Sequence, residues 1–349
     1  MAVDKIRLGV IGCGGMASNS HTSGLLALSD WMTVTATCDI VLEQAQKMAE
    51  MLNVNIAVTD FHDILDQVDA VLIAIPHDLH FEVGMACLEA GKHVLMEKPM
   101  CNTEEECIEL IGMADRMGKV LMTAYPVRFW PVMVKLKELI DNKTYGDIFQ
   151  LSIWTEQYTH PPEGSWGLSA RQLGGGQFFS HGCHYVDLML WLLGNPIKGT
   201  HLGTNFGTPW MEKEGTSNVV LEFENGVLGY HFGTWGARGT RLGYSIHAHC
   251  TKGMIEIHLG EGKMYLHSDI KEEHGDLENR STTEILMDIE PGKLTFYETK
   301  HFLDCINKGT RPDTDGPRSL QGLRVIWRLY EAEQVNTVAD LRGLGLELA

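Results

Sequence analysis

The chain has no run of about 18 apolar residues, the length a membrane-spanning helix requires. It has no C-x-x-C pair, and its basic residues are outnumbered, 28 Lys and Arg against 46 Asp and Glu, for a formal net charge of −18. The first absence excludes a spanning helix. The second leaves the eight cysteines (13, 38, 87, 101, 107, 183, 250 and 305) without redox or zinc-ligand spacing. They read as reduced, buried small residues rather than as disulfides. The third disfavours nucleic acid and anionic membranes as partners. No secretory apolar stretch precedes the first strand-like run, so a cytoplasmic location is expected. No repeat, low-complexity segment or disordered linker interrupts the sequence. What remains is an ordinary globular composition, 44% hydrophobic and 21% charged over 349 residues, long enough for two domains.

The most informative segment present is Arg7–Ala17, RLGVIGCGGMA. Arg7–Ile11 has the length and apolar content of a buried strand. Gly12-Cys13-Gly14-Gly15-Met16-Ala17 then fits G-x-G-x-x-A. In that pattern Gly12 permits a tight turn, Gly14 lets the backbone approach a pyrophosphate, and Ala17 lets the helix sit close on the sheet. The pyrophosphate would rest on free N–H groups at the helix start. A second β-branched run, Val34–Cys38, ends in Asp39, and this acid lies at the spacing expected for a ribose-binding carboxylate.

Strand and helix signals alternate through the first third of the chain. Helical spacing marks Leu42–Leu52, and Phe81–Ala90 stops at Gly91. Thr103–Met117 opens on a capping-box pattern and stops at Gly118. Strands are expected at Ile56–Thr59, Ala70–Ile75, His93–Met96 and Val120–Ala124, with a capped turn at Asp60–Asp66. This pattern implies a doubly wound parallel sheet. After Tyr125 and a further helix at Pro131–Asp141, period-two alternation dominates from Phe149 onward. Asn225-Gly226 and Thr251-Lys252-Gly253 read as hairpin turns. One helix, Phe179–Leu193, interrupts this part, and Phe296–Asn307 and Leu320–Gln334 look helical. The expected architecture is a Rossmann domain over 1–126 and an α+β domain on a mostly antiparallel open sheet over 127–349.

Two segments carry candidate chemistry. Glu97-Lys98-Pro99 follows the expected strand His93–Met96 at its C-terminal end, where ligands bind in open α/β sheets. A lysine there would sit beside a cationic nicotinamide, and repulsion with partial desolvation would ease proton exchange with a substrate hydroxyl near neutral pH. The second segment is Gly174-Gly175-Gly176 through Asp187, where His181, His184 and Asp187 recur at helical spacing. Histidine is the usual acid/base at neutral pH. No second cluster completes a metal sphere, and His247 and His249 read as strand-surface residues. Cys13 sits in the glycine turn but is not expected to be catalytic, because thiol reactivity needs an activating environment.

Together GVIGCGGMA, AVLIAIPHDLHFEVGMACLEAGKHVLMEKPM, YPVRFWP and GGGQFFSHGCHYVDLMLWLLG resemble the Gfo/Idh/MocA oxidoreductases over nearly the whole length. The resemblance implies residue roles. Gly12, Gly14, Gly15 and Met16 would line the pyrophosphate, and Asp39 would take the adenosine ribose. Ile75, Pro76 and His80 would border the nicotinamide, Glu97 and Lys98 would touch the cofactor, and Arg128, also counted with the cofactor site, would lie at the domain junction, facing the pocket or bracing it. Lys98 would be the catalytic lysine and His184 the acid/base, with a Lys98–Pro99 bond that is cis in relatives. Two departures stand out: Ser180 replaces a common Asp, and His77 replaces a common Asn. Trp154, Glu156, Tyr158, His160, Trp166, Ser180 and His181 are the remaining candidates for substrate contact. Asp39, followed by Ile40 with no arginine for a 2′-phosphate, favours NAD over NADP. The expected activity is hydride transfer between NAD and a hydroxyl carbon of a sugar, polyol or related cyclic alcohol, by a homo-oligomer, dimer or tetramer. An NAD-retaining glycoside-cleaving enzyme and a non-catalytic NAD-binding regulator remain alternatives on the same fold.

Overall fold

A computed structural model describes residues 5–269, 281–291 and 295–344. Met1–Asp4 and residues 345–349, which belong to the two expected spans, lie outside the described residues. Six strands, β1 (Ile6–Ile11), β2 (Met32–Cys38), β3 (Ala57–Val58), β4 (Ala70–Ile73), β5 (His93–Met96) and β6 (Leu121–Thr123), form a sheet in the order 3-2-1-4-5-6. Every pairing in it is parallel. This is the doubly wound arrangement the sequence implies. The strands read as continuous apolar runs because both faces are covered. Helices α1 (Thr22–Ala27) and α2 (Leu42–Leu52) bury Leu25, Leu28, Met48 and Leu52 with Leu8, Val10 and Leu72 on one face. Helices α3 (His80–Glu89) and α4 (Glu104–Met117) bury Cys87, Leu88, Leu110 and Ile111 with Val71, Val94 and Met96 on the other. Thr103 caps α4 in a full capping box with Glu106, as its sequence predicts. Strand β4 ends two residues earlier than expected. Ala74–Pro76 leaves the sheet for a 3₁₀ turn at His77–Leu79, and Pro76 has no N–H to give to the ladder.

Helix α5 (Pro131–Asp141) leads to the second sheet. Its strands are β7 (Ile148–Glu156), β8 (Pro196–Thr204), β9 (Thr216–Phe223), β10 (Leu228–Thr234), β11 (Tyr244–Cys250), β12 (Gly253–His258), β13 (Lys263–Asp269), β14 (Ser281–Asp288) and β15 (Ala339–Asp340). Their order is 14-13-12-11-7-10-9-8-15. All pairs are antiparallel except β7 with β10. The Asn225-Gly226 hairpin joins β9 to β10, with Gly226 at φ +80. The Thr251-Lys252 turn joins β11 to β12. A one-turn helix α6 (Ala170–Leu173) and helix α7 (Cys183–Leu193) lie between β7 and β8.

The last two helices, α8 (Thr295–Lys308) and α9 (Gly316–Gln334), match the two expected helical stretches. Their packing departs from a simple division at residue 126. Phe302 and Leu303 of α8 join the core of the first sheet beside Leu8 and Val10. Thr314 donates to the main chain of Thr123 at the end of β6. The chain therefore returns to the Rossmann unit after building the second sheet. Among the described residues no helix is long and apolar enough to cross a membrane.

Candidate active site

The glycine turn after β1 opens a groove of 510 Å³ along the C-terminal ends of the strands. Gly12 adopts φ +88, and a Cβ there would overlap the Ala74 carbonyl oxygen. No other residue fits this turn. In front of Gly14 and Gly15 a Cβ would meet nothing nearer than 4.0 and 3.7 Å, so both present open backbone to the groove. The helix begins at Gly15, and the amides of its first turn have no intrahelical carbonyl to bond. Asp39 lies across the groove. Its carboxylate accepts from the amides of Cys13 at 2.8 Å and Val41 at 2.9 Å. The turn and the acid are thus one unit. Met16, Ile40, Ile75, Pro76 and Trp166 also line this groove, and its donors and open backbone fit a dinucleotide. Cys13 is buried beside it, and burial with the Asp39 charge pushes its thiol up to about 12. It is not a nucleophile at neutral pH.

Between the glycine turn and α1 the backbone passes through a π-helical turn, Ala17–His21, a feature found often at functional sites. It places His21 in the core with Nε2 2.7 Å from Glu97 Oε1. The other Glu97 oxygen accepts from the Lys98 amide. Burial pushes the Glu97 carboxyl up, but the bond and charge of His21 and the Lys98 ammonium outweigh it and leave it below its usual range. The Lys98–Pro99 bond is cis. The Lys98 ammonium donates to the Ser180 carbonyl at 3.0 Å. Ser180 stands in a second π-helical turn, Phe178–Gly182, just before α7.

A second cavity of 450 Å³ lies on the far side of Lys98. It is lined by His181 and His184 from the turn and helix that follow the glycines. Trp130, Gln157, Trp235 and Tyr244 come from other segments. Met16, Glu97 and Lys98 line both cavities. His184 packs edge-on against Tyr125, ring centroids 5.5 Å apart. His181 stands between Tyr244 and Tyr185.

Several expected contacts take other places. Trp154 and Glu156 lie outside both cavities. On β7 the inward positions are Leu151, Ile153 and Thr155, so Trp154 projects to the other face of the sheet, against His247 and Tyr230. Strand alternation sets this. Glu156 accepts from Thr240 and Gly243, and Gln157 enters the cavity in its stead. Tyr158 and His160 pack on Trp210 away from the cavities. Trp166 reaches the dinucleotide groove rather than the second cavity, edge-on to His77. Burial, with the nearby His80 and Lys98, holds His77 well below the usual histidine range, so it carries no charge at neutral pH. His80 does not border the groove. It is fully buried, with ring nitrogens 2.8 Å from the Pro99 carbonyl and 3.1 Å from that of Ile75. It ties the two cofactor-side loops together. Arg128 lines neither cavity. Its guanidinium pairs with Asp187 at 2.8 Å, both buried, and lies over the Trp191 ring. Asp187 therefore answers Arg128 at the domain junction.

Sequence reasoning passed over His21, Trp130, Gln157, Trp235 and Tyr244. Trp130 falls in YPVRFWP, one of the segments that carry the resemblance, and the other four have no local signature.

The parallel sheet, the glycine turn and the lysine at a strand end define a dinucleotide-binding α/β protein with a second domain closing on the site. Comparison with known proteins makes this specific. Residues 6–125 match the oxidoreductase family with an NAD-binding Rossmann fold, and residues 133–256 match the Gfo/Idh/MocA C-terminal domain. The chain belongs to the Gfo/Idh/MocA family. It is 31% identical over 201 residues to D-glucoside 3-dehydrogenase of Escherichia coli K12, covering 56% of each chain. It is 30% identical over 230 residues to myo-inositol 2-dehydrogenase of Thermotoga maritima, covering 64% of this chain and 67% of that one. The chain thus spans between half and two thirds of these relatives. A structure of levoglucosan dehydrogenase with NADH and levoglucosan superimposes with a TM-score of 0.85 at 19% identity, over 97% of this chain and 100% of that one. That likeness shows the shared fold.

Proposed function

We propose that the protein is an NAD-dependent dehydrogenase acting on a hydroxyl carbon of a sugar, polyol or related cyclic alcohol. The observation that carries this is the meeting of two cavities at Lys98. One has the turn and acid of a dinucleotide site, and the other is a cavity with imidazoles on its wall. A bound nicotinamide would supply the hydride acceptor. The chain's own groups do the rest. Lys98, held toward the second domain by Ser180, donates to the substrate oxygen and stabilises charge as it develops there. His184 takes the hydroxyl proton. Glu97, anchored by His21, keeps the main chain of Lys98 in place. Asp39 accepts from the ribose hydroxyls, and its charge with Ile40 beside it opposes a 2′-phosphate, which supports NAD over NADP.

The free, buried cysteines support a reducing, cytoplasmic setting. The outer face of the second sheet supports a homo-oligomer. Leu202, Val220 and Leu228 are exposed there, beside the pair Trp154 and Tyr230, and such a face calls for a partner surface.

The deciding experiment is a panel of sugars and inositols with NAD, read by NADH absorbance. Formation of NADH from at least one member is expected. Release of free sugar from glycosides without net NADH would replace this reading with glycoside cleavage. Tight NAD binding with no turnover of any kind would leave a regulator.

A further inference from the structure

The helical stretch that carries Ser180 begins at Gln177. The Ser180 amide bonds back to the Gly176 carbonyl at 3.0 Å, but the four amides before it, Gly176 to Phe179, have no carbonyl of their own helix to meet. Two residues distant in sequence take all four. The Glu214 carbonyl, just ahead of β9, accepts from the Gln177 amide at 2.7 Å, and its carboxylate accepts from that of Phe178 at 3.2 Å. The Tyr330 hydroxyl on α9 accepts from the amides of Gly176 at 3.4 Å and Phe179 at 3.2 Å. It donates in turn to the same Glu214 oxygen at 2.5 Å. Glu214 is 9% exposed. A Cβ at Gly176 would lie 2.3 Å from its carboxylate, so the glycine makes room for a side chain of the protein itself. The support behind this cap is also fixed. Phe178 stacks on His201 of β8 with ring centroids 4.8 Å apart, and His201 bonds Glu333, one turn after Tyr330, at 2.7 Å.

We propose that Glu214 and Tyr330 are positioning residues for the reacting groups, a role that rests on the function proposed above. Their cap sets where the helix starts, and with it the direction of the Ser180 carbonyl, one residue past the last capped amide. That carbonyl holds the Lys98 ammonium at 3.0 Å. The same stretch continues into His181 and His184, which line the second cavity, a chamber beside Lys98. Neither Glu214 nor Tyr330 lines that chamber or the dinucleotide groove, so both act through the main chain. Burial, with the Glu214 charge, holds the Tyr330 phenol well above its usual range, and the hydroxyl keeps its proton through neutral pH. Loss of the cap would leave buried amides unpaired and let the turn shift. A shift of about 1 Å at a reacting group can cost about 100-fold in rate.

Tyr330→Phe tests this, because it removes the hydroxyl and keeps the ring against Phe178 and His201. Acetylation of the full chain by acetic anhydride, read by mass spectrometry at Lys98 against the other lysines, reports the tether to Ser180 without need of a substrate. Labelling of Lys98 should quicken about fivefold in the variant, the worth of one hydrogen bond. NADH affinity should stay within about twofold, since the glycine turn and Asp39 are untouched. With a sugar or inositol that the protein oxidises, kcat should fall about tenfold or more while KM stays within about threefold. Glu214→Gln keeps an oxygen for Phe178 and Tyr330 and should behave as the parent in every readout. Glu214→Asp draws the carboxylate back by one methylene and should match Tyr330→Phe. Unchanged Lys98 labelling in Tyr330→Phe and Glu214→Asp overturns the proposal, and so does an undiminished kcat or a loss confined to KM. Faster labelling in a protein that oxidises no member of the panel retires the dehydrogenase reading alone and supports the positioning of Lys98. If Tyr330→Phe does not fold, the contrast between Glu214→Gln and Glu214→Asp decides, and equal labelling of Lys98 in those two overturns the proposal.

Discussion

The ammonium of Lys98 and the main-chain oxygen of Ser180 stand 3.0 Å apart across 82 residues of sequence. The lysine after β5 is thereby held by the segment that carries His184. The glycine turn and Asp39, which give the groove its dinucleotide features, bond to each other and not to this ammonium. Lys98→Ala should therefore leave NADH affinity within a few-fold and lower turnover by about 100-fold or more. NADH fluorescence titration and steady-state rates check the two parts, and undiminished turnover would remove the lysine from the chemistry.

Asp39 bonds two amides of its own chain while facing the groove. Asp39→Ala removes the ribose acceptor and the charge that opposes a 2′-phosphate together. NAD affinity should fall, and NADP affinity should fall less or rise. Calorimetry with both nucleotides reads the ratio. Equal losses for the two would mean that the carboxylate serves the turn alone.

The pair Arg128–Asp187 is buried on both sides. Arg128→Met leaves an uncompensated carboxylate in the core and should cost about 3–5 kcal/mol of stability. Adding Asp187→Leu should restore most of it, because the double variant buries no charge. Urea unfolding of the two variants measures this.

Glu298 of α8 is fully buried, and neither carboxyl oxygen has a hydrogen-bond partner among the described residues. Burial and the Glu97 charge push its carboxyl well above the usual range. The folded chain therefore keeps a proton there that the unfolded chain releases above about pH 4.5. The unfolded state binds fewer protons, so stability falls as pH rises through the neutral range. Glu298→Gln, neutral at every pH, should flatten that fall and raise the midpoint of thermal unfolding at pH 8 more than at pH 5. A parallel shift at both pH values would show that the carboxyl is not protonated in the fold.

The parts legible in sequence are those closed within a short stretch of chain. The strand–turn–helix of β1, the acid ending β2 and the capping box of α4 each bring together residues a few positions or one βαβ unit apart, and their residue types state the backbone geometry directly. Bounds of α2, α5 and β5 follow from periodicity for the same reason. The candidates on and after β7 show the limit. Alternation identifies the strand, but which parity faces the cavity depends on the layer that covers it. Trp154 thus falls on the outer face, and Gln157, just beyond the strand, enters the chamber.

By itself the sequence determined a doubly wound sheet with a diphosphate-sized turn, an antiparallel second unit, and a lysine at a strand end. Tertiary structure alone decided that Lys98 meets Ser180, that Asp187 answers Arg128, that His21 anchors Glu97, and that α8 returns to the first sheet. Each of these joins residues dozens to hundreds of positions apart. Such pairings depend on sheet register and on how two units pack, and local periodicity carries no information about either.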